Sequence, residues 1–421
     1  MNRNENKSKQ LCTSIKKKKG QDHKNTEPSL WSQIPATVVL AIYMYLGDKD
    51  RVSMARVCQA WYQGFKVPAL WRSRIIEFGE IRTEEEIEEE VSMNSETGTL
   101  KSYGKCAVKF AKQFPTSLQD IEIYFNHVYG QDGKVIVKDF KQFSACLDGA
   151  KLRNISIAYL DIGMVSRKMQ KDVIDSFKRL LQNQRSLQKC QIKCSFFDLE
   201  TGLQIIQCLA EASGATIEDL SLEGLFHNGT PINPKGRVLT EMQKFTGLSR
   251  IHFDYYFISE ELAKSWVMAC PNLSFIRLVS DEYIHPTHVV SCETWKSLVR
   301  THPNLLVEFN ASDIQDTKHM LDILSPAIPL FDLSWERFED TTEFEMIRLL
   351  HRVAHYHRTI RYLSLRISGQ FPNLDTKAVQ NILSKCTKLL PFQCEKETNP
   401  VFHENKWNLS QNRWWFAQNN V

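Results

Sequence analysis

Two histidines and one acidic run are the residues whose types and spacing suggest chemistry. His351 and His355 are four positions apart, so both imidazoles would share one face of a predicted helix and could bind a metal ion. Arg352 stands where zinc proteases place a glutamate, so surface or partly buried histidines are the simpler interpretation. The acidic run 84–90, broken only by Ile87, could bind a basic partner, but a solvated linker or helix face explains it more simply.

Motifs that carry catalysis are absent from the sequence. It holds no Walker-type or dinucleotide glycine loop, no Gly-x-Ser-x-Gly turn and no His-Glu-x-x-His helix. The eleven cysteines are an odd number and lack the Cys-x-x-Cys pairs of structural zinc sites, which favours free, buried thiols in a reducing compartment. We therefore expect a cytoplasmic and/or nuclear protein that is not an enzyme and has no catalytic residues, no metal site and no cofactor.

The charge of the chain is concentrated at its amino terminus. The first 30 residues hold eight lysines or arginines and three acidic residues, whereas the whole chain has a formal net charge of +4, so the remainder is close to neutral. A near-neutral body lacks the basic surface that nucleic acid requires. The lysine run 16–19 could be a nuclear address, although a solvated tail is the simpler interpretation. The longest apolar candidate, 34–46, is too short to cross a bilayer, so we expect no membrane and no nucleic-acid partner.

A row of polar residues predicts a binding surface rather than a reaction centre. Between 118 and 394 the frame L-x-x-φ-x-φ, where φ is apolar, begins at nine positions, and a tenth unit around Leu305 is one residue shorter. Every unit carries a polar residue between its last two apolar positions. These polar residues are Glu122, Ser156, Gln191, Ser221, His252, Arg277, Glu308, Asp332, Ser364 and Gln393. Because strands alternate faces, the pattern predicts short strands with one face buried and the other open to solvent.

The segments between these strands predict helices. Met169, Val173 and Phe177 follow helical spacing, and Thr342 with Glu345 predicts a capping box. One strand and one helix in about 30 residues is typical of a stacked solenoid. The fold class is therefore α/β, with parallel strands on a concave face and helices outside.

Residues 31–76 contain three short apolar helical patterns ahead of the repeats. The first follows Ile34-Pro35, the second runs over 51–61, and the third begins at Pro68 and extends to Ile75. Three helices in about 45 residues cannot bury so much apolar surface by themselves. A partner should therefore cover the remainder.

This segment resembles the F-box. The family order of Leu-Pro, an apolar helix ending in Leu, a Val-Cys-x-x-Trp segment and a closing Leu-Trp is matched here, with Ile34 in place of the first Leu. The resemblance implies docking to the Skp adaptor of SCF (Skp-cullin-F-box) ubiquitin ligases and, through it, to a cullin-RING ligase core. An unrelated three-helix segment is the alternative. The adaptor-binding residues that the resemblance implies are Ile34, Pro35, Val38, Ile42, Leu46, Val57, Trp61, Leu70 and Trp71.

An F-box followed by degenerate leucine-rich repeats resembles the substrate receptors of these ligases. The repeats depart from the usual pattern, because most lack the Asn that Asn126 retains. The resemblance implies that an unknown protein substrate binds the concave face, and the alternative is an interaction scaffold that binds the adaptor without delivering substrates for degradation. The substrate-binding residues expected there are Glu122, Gln191, His252, Tyr255, Arg277, Asp332 and Trp335.

Five segments are expected along the chain. They are a disordered basic tail at 1–29, the F-box at 30–76, a linker or helical connection at 77–117, the solenoid at 118–394 and a poorly ordered tail at 395–421. Trp407, Trp414, Trp415 and Phe416 lie in a polar background without a helical stripe, which favours a tail. The alternative is that these aromatics fold back as a cap over the last repeat.

Overall fold

The chain divides into two compact units, Met1–Leu70 and Trp71–Val421. The computed structural model describes residues 30–79, 100–125, 132–160, 166–226, 236–280, 289–312, 317–370, 379, 384–389, 392–397 and 413–418. The expected basic tail 1–29 and the acidic run 84–90 lie outside the described residues.

Short helices make up the described part of the first unit. They are a 3-10 turn at Leu30–Gln33, α1 (Ala36–Met44), α2 (Asp48–Met54) and α3 (Gln59–Phe65), and a second 3-10 turn follows at Pro68–Trp71. The sequence predicted one helix over 51–61, which is wrong, because the chain turns between α2 and α3. Cys58 is extended there and caps α3, and neither Val57 nor Cys58 favours a helix.

Within the described residues, the second unit is built on a thirteen-stranded sheet with the order β12-β13-β11-β10-β9-β8-β7-β6-β5-β4-β3-β1-β2. The strands are β1 Ser73–Phe78, β2 Leu100–Tyr103, β3 Asp120–Phe125, β4 Asn154–Ala158, β5 Lys189–Lys193, β6 Asp219–Ser221, β7 Arg250–Asp254, β8 Phe275–Ser280, β9 Leu306–Ser312, β10 Leu330–Thr342, β11 Tyr362–Gln370, β12 Phe392–Glu397 and β13 Arg413–Gln418. Every pairing from β2 to β11 is parallel, whereas β13 pairs antiparallel with β11 and β12.

One helix separates most neighbouring strands, as a parallel sheet requires. The helices are α4 Gly104–Gln113, α5 Asp132–Cys146, α6 Arg167–Gln182, α7 Leu199–Ser213, α8 Arg237–Met242, α9 Glu260–Ala269, α10 Cys292–Thr301, α11 Thr317–Ile323 and α12 Glu343–Ala354. The predicted capping box is confirmed, since the Thr342 hydroxyl accepts from the Glu345 amide and the Glu345 carboxylate accepts from the Thr342 amide. The α/β repeat class read from the sequence is the observed one.

Burial alternates along strands such as β3, β5 and β8 as the frame predicts, whereas in β6 and β7 the outward Ser221 and His252 are buried as well. Ile121 and Ile123 of β3, like Ile155 and Ile157 of β4, join one apolar core that runs through the repeats. Polar side chains inside this core are hydrogen-bonded between repeats: the buried Gln184 amide oxygen accepts from the Leu152 amide at 3.0 Å. Alternation therefore leaves one face of the sheet polar, and the apolar face packs against the helices.

The sheet begins earlier than the sequence predicted. Residues 77–117 were expected to be a linker or helical connection, and Ile75 was expected in a helix. This range contains the helix α4 at Gly104–Gln113, but β1 starts at Ser73 and β2 lies at Leu100–Tyr103. Paired β-branched residues at Ile75 and Ile76 favour a strand over a helix. The first strand of the sheet therefore follows the helical unit in the sequence after two residues.

The carboxyl end also differs from the expected tail. Residues 392–397 and 413–418 form strands, and Phe416 and Trp414 lie opposite Leu365 and Ile367 of β11. Trp407 lies outside the described residues. Strand pairing was missed because the partner strand is about 50 residues away, beyond any local periodicity.

No helix among the described residues has the length and apolar character needed to cross a membrane.

Candidate functional site

Two surfaces carry the residues that the sequence singled out. The first is a stripe on α1, called the outer stripe below, made of Pro35, Val38, Ile42 and Tyr45. These positions fall at helical spacing on one side of α1 and its C-cap. Val38 is 45 % exposed and Tyr45 is 92 % exposed, which is unusual for large apolar side chains.

The opposite side of α1 holds the core of this unit. Val39 and Tyr43 are the buried residues of the helix, and the Tyr43 ring meets the Trp61 ring edge to face at 5.6 Å. The Tyr43 hydroxyl donates to the Trp61 carbonyl at 2.9 Å, and burial raises the pKa of this phenol to about 12. Gly64 lies against the same side, because a Cβ there would stand 2.7 Å from Val39 Cγ1.

Arg51 ties these helices together. Its Nε donates to the Tyr43 carbonyl at 2.8 Å and its Nη1 donates to the Leu70 carbonyl at 3.1 Å. The guanidinium thus satisfies a carbonyl at the end of α1 and another at the end of the unit. A buried arginine with two backbone acceptors is a structural residue, and sequence reasoning did not identify it.

The expected adaptor-binding residues separate into exposed and buried groups. Pro35, Val38 and Val57 are exposed, and Ile34, Ile42 and Leu46 are partly exposed. Trp61, Leu70 and Trp71 are buried, which corrects the expectation that they contact a partner directly. Trp71 stacks on Phe114 at 4.7 Å within the second unit, where Arg74 also approaches its ring.

Exposed residues that the sequence analysis missed extend the apolar surface. Met44 is 60 % exposed, and Tyr62 and Trp31 are also exposed. The signal was present, since α1 reads ATVVLAIYM and is apolar on every side, whereas an isolated surface helix has a polar side. An exposed apolar surface of this kind is typical of a protein–protein interface.

The second surface is the polar face of the sheet, defined by the row Glu122, Ser156, Gln191, Ser221, His252, Arg277, Glu308 and Asp332. Each residue lies directly opposite the next across neighbouring strands, from β3 to β10. The predicted row is therefore one continuous register row over eight strands. Ser364 leaves it, because Asp332 lies opposite Tyr362 and Ser364 lies opposite Ser334.

Two expected surface aromatics are buried instead. Trp335 shares the apolar side of β10 with Leu333, three positions from the outward Asp332, so strand alternation turns it into the core. Tyr255 starts a 3-10 turn after β7 and points inward, where its hydroxyl accepts from the Val290 amide at 3.3 Å. Burial raises the pKa of Tyr255 to about 12.

Charges concentrate in the middle of the polar face. We call Glu223, Arg277, Glu308 and Asp332 the Arg277 cluster. Arg277 Nε lies 3.2 Å from Glu308 Oε1, and Arg277 Nη2 lies 3.9 Å from Glu223 Oε1. Three carboxylates thus surround one guanidinium on a half-buried surface.

The carboxylates of this cluster are held in an unfavourable environment. Burial, with the Glu308 charge beside it, raises the pKa of Asp332 to about 6, although Arg277 acts in the opposite direction. Burial and the charge of Glu223 also raise the pKa of Glu308, against the lowering effect of Arg277. The single cation does not neutralise the acids around it.

Beside the cluster lie buried polar groups without hydrogen bonds. His252 is 7 % exposed, and neither ring nitrogen has a hydrogen-bond partner. Its Nε2 is 3.8 Å from Asp219 Oδ1, and burial lowers the pKa of this imidazole to about 4, so it is neutral at pH 7. The fully buried Ser221 hydroxyl next to it in the row is also unpaired.

His351 and His355 do not form a site with other ligands. Both are exposed near the end of α12, and in the described part of the chain no three His, Cys, Asp or Glu side chains are grouped to hold a metal ion.

Comparison with solved structures gives weak likenesses. A leucine-rich repeat-containing protein from Legionella pneumophila has a TM-score of 0.35 at 11 % identity, covering 75 % of this chain and 90 % of that one. The yeast Rad7 and Elc1 complex gives a TM-score of 0.37 at 10 % identity, covering 86 % and 88 %. The fold assignment therefore rests on the sheet order and register described above.

Comparison with known sequences is more informative for the first surface. Human F-box only protein 33 is 24 % identical over 408 residues, which is 85 % of this chain and 70 % of that protein. Its mouse counterpart is 25 % identical over 263 residues, covering 59 % of this chain and 44 % of the relative. The F-box-like family model matches residues 31–77. The helical segment with the outer stripe is therefore an F-box-like domain, in a chain homologous to F-box only protein 33.

Proposed function

We propose that this protein is a substrate-recognition subunit of an SCF-type ubiquitin ligase, acting in the cytoplasm and/or the nucleus. The observation that carries the proposal is α1, which is apolar on all sides and buries only Val39 and Tyr43 in the described structure. The outer stripe is the face that the Skp adaptor would cover, and the adaptor would connect the chain to a cullin-RING core. The polar face of the sheet would hold the protein substrate.

The proposed role needs no catalytic residue in this chain. A substrate held on the polar face lies near the ubiquitin-carrying enzyme that the cullin recruits, so its lysines are modified through proximity. Three segments, 46–51, 69–72 and 155–160, also resemble F-box only protein 39, which we propose as a more specific relationship.

Substitutions at Val38 of the outer stripe and at the exposed Val57 test the docking. Val38→Glu combined with Val57→Glu places charge on exposed apolar positions and leaves the Tyr43–Trp61 core unchanged. We expect adaptor binding, measured by titration of the purified full chain, to weaken by about tenfold or more, because an interface core tolerates charge poorly. The melting temperature should stay the same.

Met268→Glu is the matched control, since Met268 is 86 % exposed on α9 of the repeat unit and carries no role in docking. Wild-type adaptor affinity in the Val38/Val57 variant would contradict the proposal. Partners that accumulate only when the cullin or proteasome is inhibited would be substrates, whereas partners unchanged by inhibition would favour a scaffold.

A further inference from the structure

The strongest unexplained feature of the molecule is the set of buried polar groups on the polar face. Ser221, His252, Arg277, Glu308 and Asp332 lie side by side on consecutive strands from β6 to β10. Buried hydroxyl and imidazole groups normally find hydrogen-bond partners, and leaving one unpaired destabilises the folded chain. Each such group needs an explanation, and a ligand that completes its hydrogen bonds is the one that also accounts for the charges beside it.

The charge of the site defines the chemistry of its ligand. Glu223 and Glu308 both lie within 4 Å of Arg277, and Asp332 lies opposite Glu308 in the next strand. Glu223 Oε2 is buried and accepts no hydrogen bond. A second cation placed among these carboxylates would pair with Glu223 Oε2 and relieve the repulsion between Glu308 and Asp332.

His252 and Ser221 indicate which chemical groups of the ligand lie beside that cation. The neutral imidazole offers one N–H donor and one acceptor nitrogen, and the Ser221 hydroxyl offers both functions as well. A peptide bond presents the complementary N–H and carbonyl. Neighbouring strands are about 4.8 Å apart, so His252 and Asp332, three strands apart, are separated by about 14 Å, which an extended segment spans with about four residues.

We propose that the polar face between β6 and β10 binds an extended segment of the partner protein through one lysine or arginine side chain, held by Glu308, Asp332 and Glu223, and that the side chains covering His252 and Ser221 move aside so that these two groups hydrogen-bond its backbone. The assignment rests on the proposed function and names the substrate class as proteins that display a basic residue in an extended segment. Arg277 keeps the carboxylates in place when the site is empty.

A peptide library tests the assignment without a known substrate. The probe is a set of random twelve-residue peptides in which one central position is fixed as Arg, Lys, Ala or Glu, applied to the purified full chain. We expect a preference of about tenfold for Arg or Lys over Ala at the fixed position, the size of one charge-assisted pair. Glu308→Gln combined with Asp332→Asn should abolish this preference.

The matched control removes the same two charges elsewhere. Asp172→Asn combined with Asp175→Asn acts on exposed carboxylates of α6 that pair with Lys141 and Lys178, and it should retain the preference. Thermal melting at pH 7 provides the second readout. The Glu308/Asp332 variant should melt at the same or a higher temperature than wild type, because it removes repelling charges; a merely structural role for these carboxylates would lower it.

Several outcomes would overturn the inference. These are an equal preference for Ala in the wild type, a cation preference unchanged in the Glu308/Asp332 variant, or a preference for Glu, which would make Arg277 and Arg250 the anchors of an acidic segment. Adaptor binding measured on the same preparations separates the two proposals. Failure of adaptor binding with an intact cation preference overturns the proposed function alone, whereas the reverse result overturns this inference alone.

Discussion

Gly64 lies at a close contact in the core of the F-box-like domain. Its Cα faces Val39 and Tyr43, the two side chains through which α1 joins the core, and a Cβ would approach Val39 Cγ1 to 2.7 Å. The space required for a side chain is missing because Trp61 and Tyr43 fill the centre of this small unit. One glycine therefore sets how closely α1 and α3 can approach.

Gly64→Val tests this close contact. We expect a loss of about 1–3 kcal/mol of stability through overpacking, with weaker adaptor binding as a consequence. Gly47→Ser is the control, since nothing lies within 4 Å of a Cβ at Gly47 and serine is a favourable N-cap for α2. Chemical denaturation would give both values, and equal stability of the two variants would show that the core can adjust.

His252 makes stability depend on pH in a defined direction. Its pKa is about 4 in the folded chain, with burial as the main cause, against about 6.5 when unfolded. Below pH 6.5 the unfolded chain binds a proton that the folded chain does not, so stability falls as the pH falls towards 4. Above pH 6.5 the lowered pKa of His252 contributes about 3 kcal/mol to the free energy of unfolding, relative to low pH.

Comparing wild type with the variant His252→Gln isolates the contribution of this imidazole to the pH dependence of stability. Asp332 contributes with the opposite sign, because its raised folded pKa makes the folded chain bind a proton more readily below pH 6. Denaturation curves at pH 7 and pH 5 should show a larger loss for wild type than for His252→Gln. An equal loss would mean that the imidazole is solvated.

Helix starts are the points at which elements of the repeat unit are fixed to each other. β10 ends at Thr342 and α12 begins at the next residue, so the capping box has to stop a strand and start a helix without a loop. Glu260 of α9 serves a similar purpose between repeats, accepting hydrogen bonds from the Ser291 amide at 2.8 Å and its hydroxyl at 2.6 Å at the start of α10.

Removing the cap of α12 should be measurable. Thr342→Ala leaves the Glu345 amide unpaired and should lower stability by about 1 kcal/mol, whereas Thr342→Ser should preserve it. Ser166→Ala is the matched control, because Ser166 is the N-cap of α6 but its side chain makes no cap hydrogen bond. Thermal melting of the three variants checks the prediction, which fails if both alanine variants behave alike.

Local patterns predicted the elements whose partners are close in sequence. The polar residue between two apolar positions located the row from Glu122 to Asp332, because side-chain alternation is a property of every strand. Trp335 was wrongly assigned to the polar face, although the same alternation, counted from Asp332, places it on the apolar face. Ser364 was misplaced because the repeat frame aligns it with Asp332, whereas β11 pairs with β10 two residues out of that alignment, with Asp332 opposite Tyr362, and no sequence motif marks the offset. The charge balance around Arg277 depends on contacts between strands, so it could not be predicted from local sequence patterns.

At the scale of the whole molecule, the end of the sheet is the feature that needs protection. The long edge of β11 would expose unpaired backbone groups, and β13 covers it as an antiparallel strand between β11 and β12. Open edges of long strands promote association between chains. β13 therefore covers the edge of β11, and the shorter β12 forms the edge of the sheet among the described strands.

Truncation after residue 397 tests that role of β13. We expect lower thermal stability and concentration-dependent oligomers in size-exclusion chromatography, because the edge of β11 is exposed. In the full chain, amide hydrogen exchange should be slow at Arg413–Gln418. Rapid exchange there, with a monomeric truncated chain, would contradict the prediction.

The register of the polar row has a consequence for how a bound sequence would be read. Strands repeat at about 4.8 Å and an extended chain advances about 3.3 Å per residue, so three residues cover nearly the same length as two strands. In an extended segment that crosses the strands, every third residue would therefore lie over an equivalent position of every second strand. Substrate sequences would then share a spacing of three between their decisive positions, and the residues between them would be free to vary.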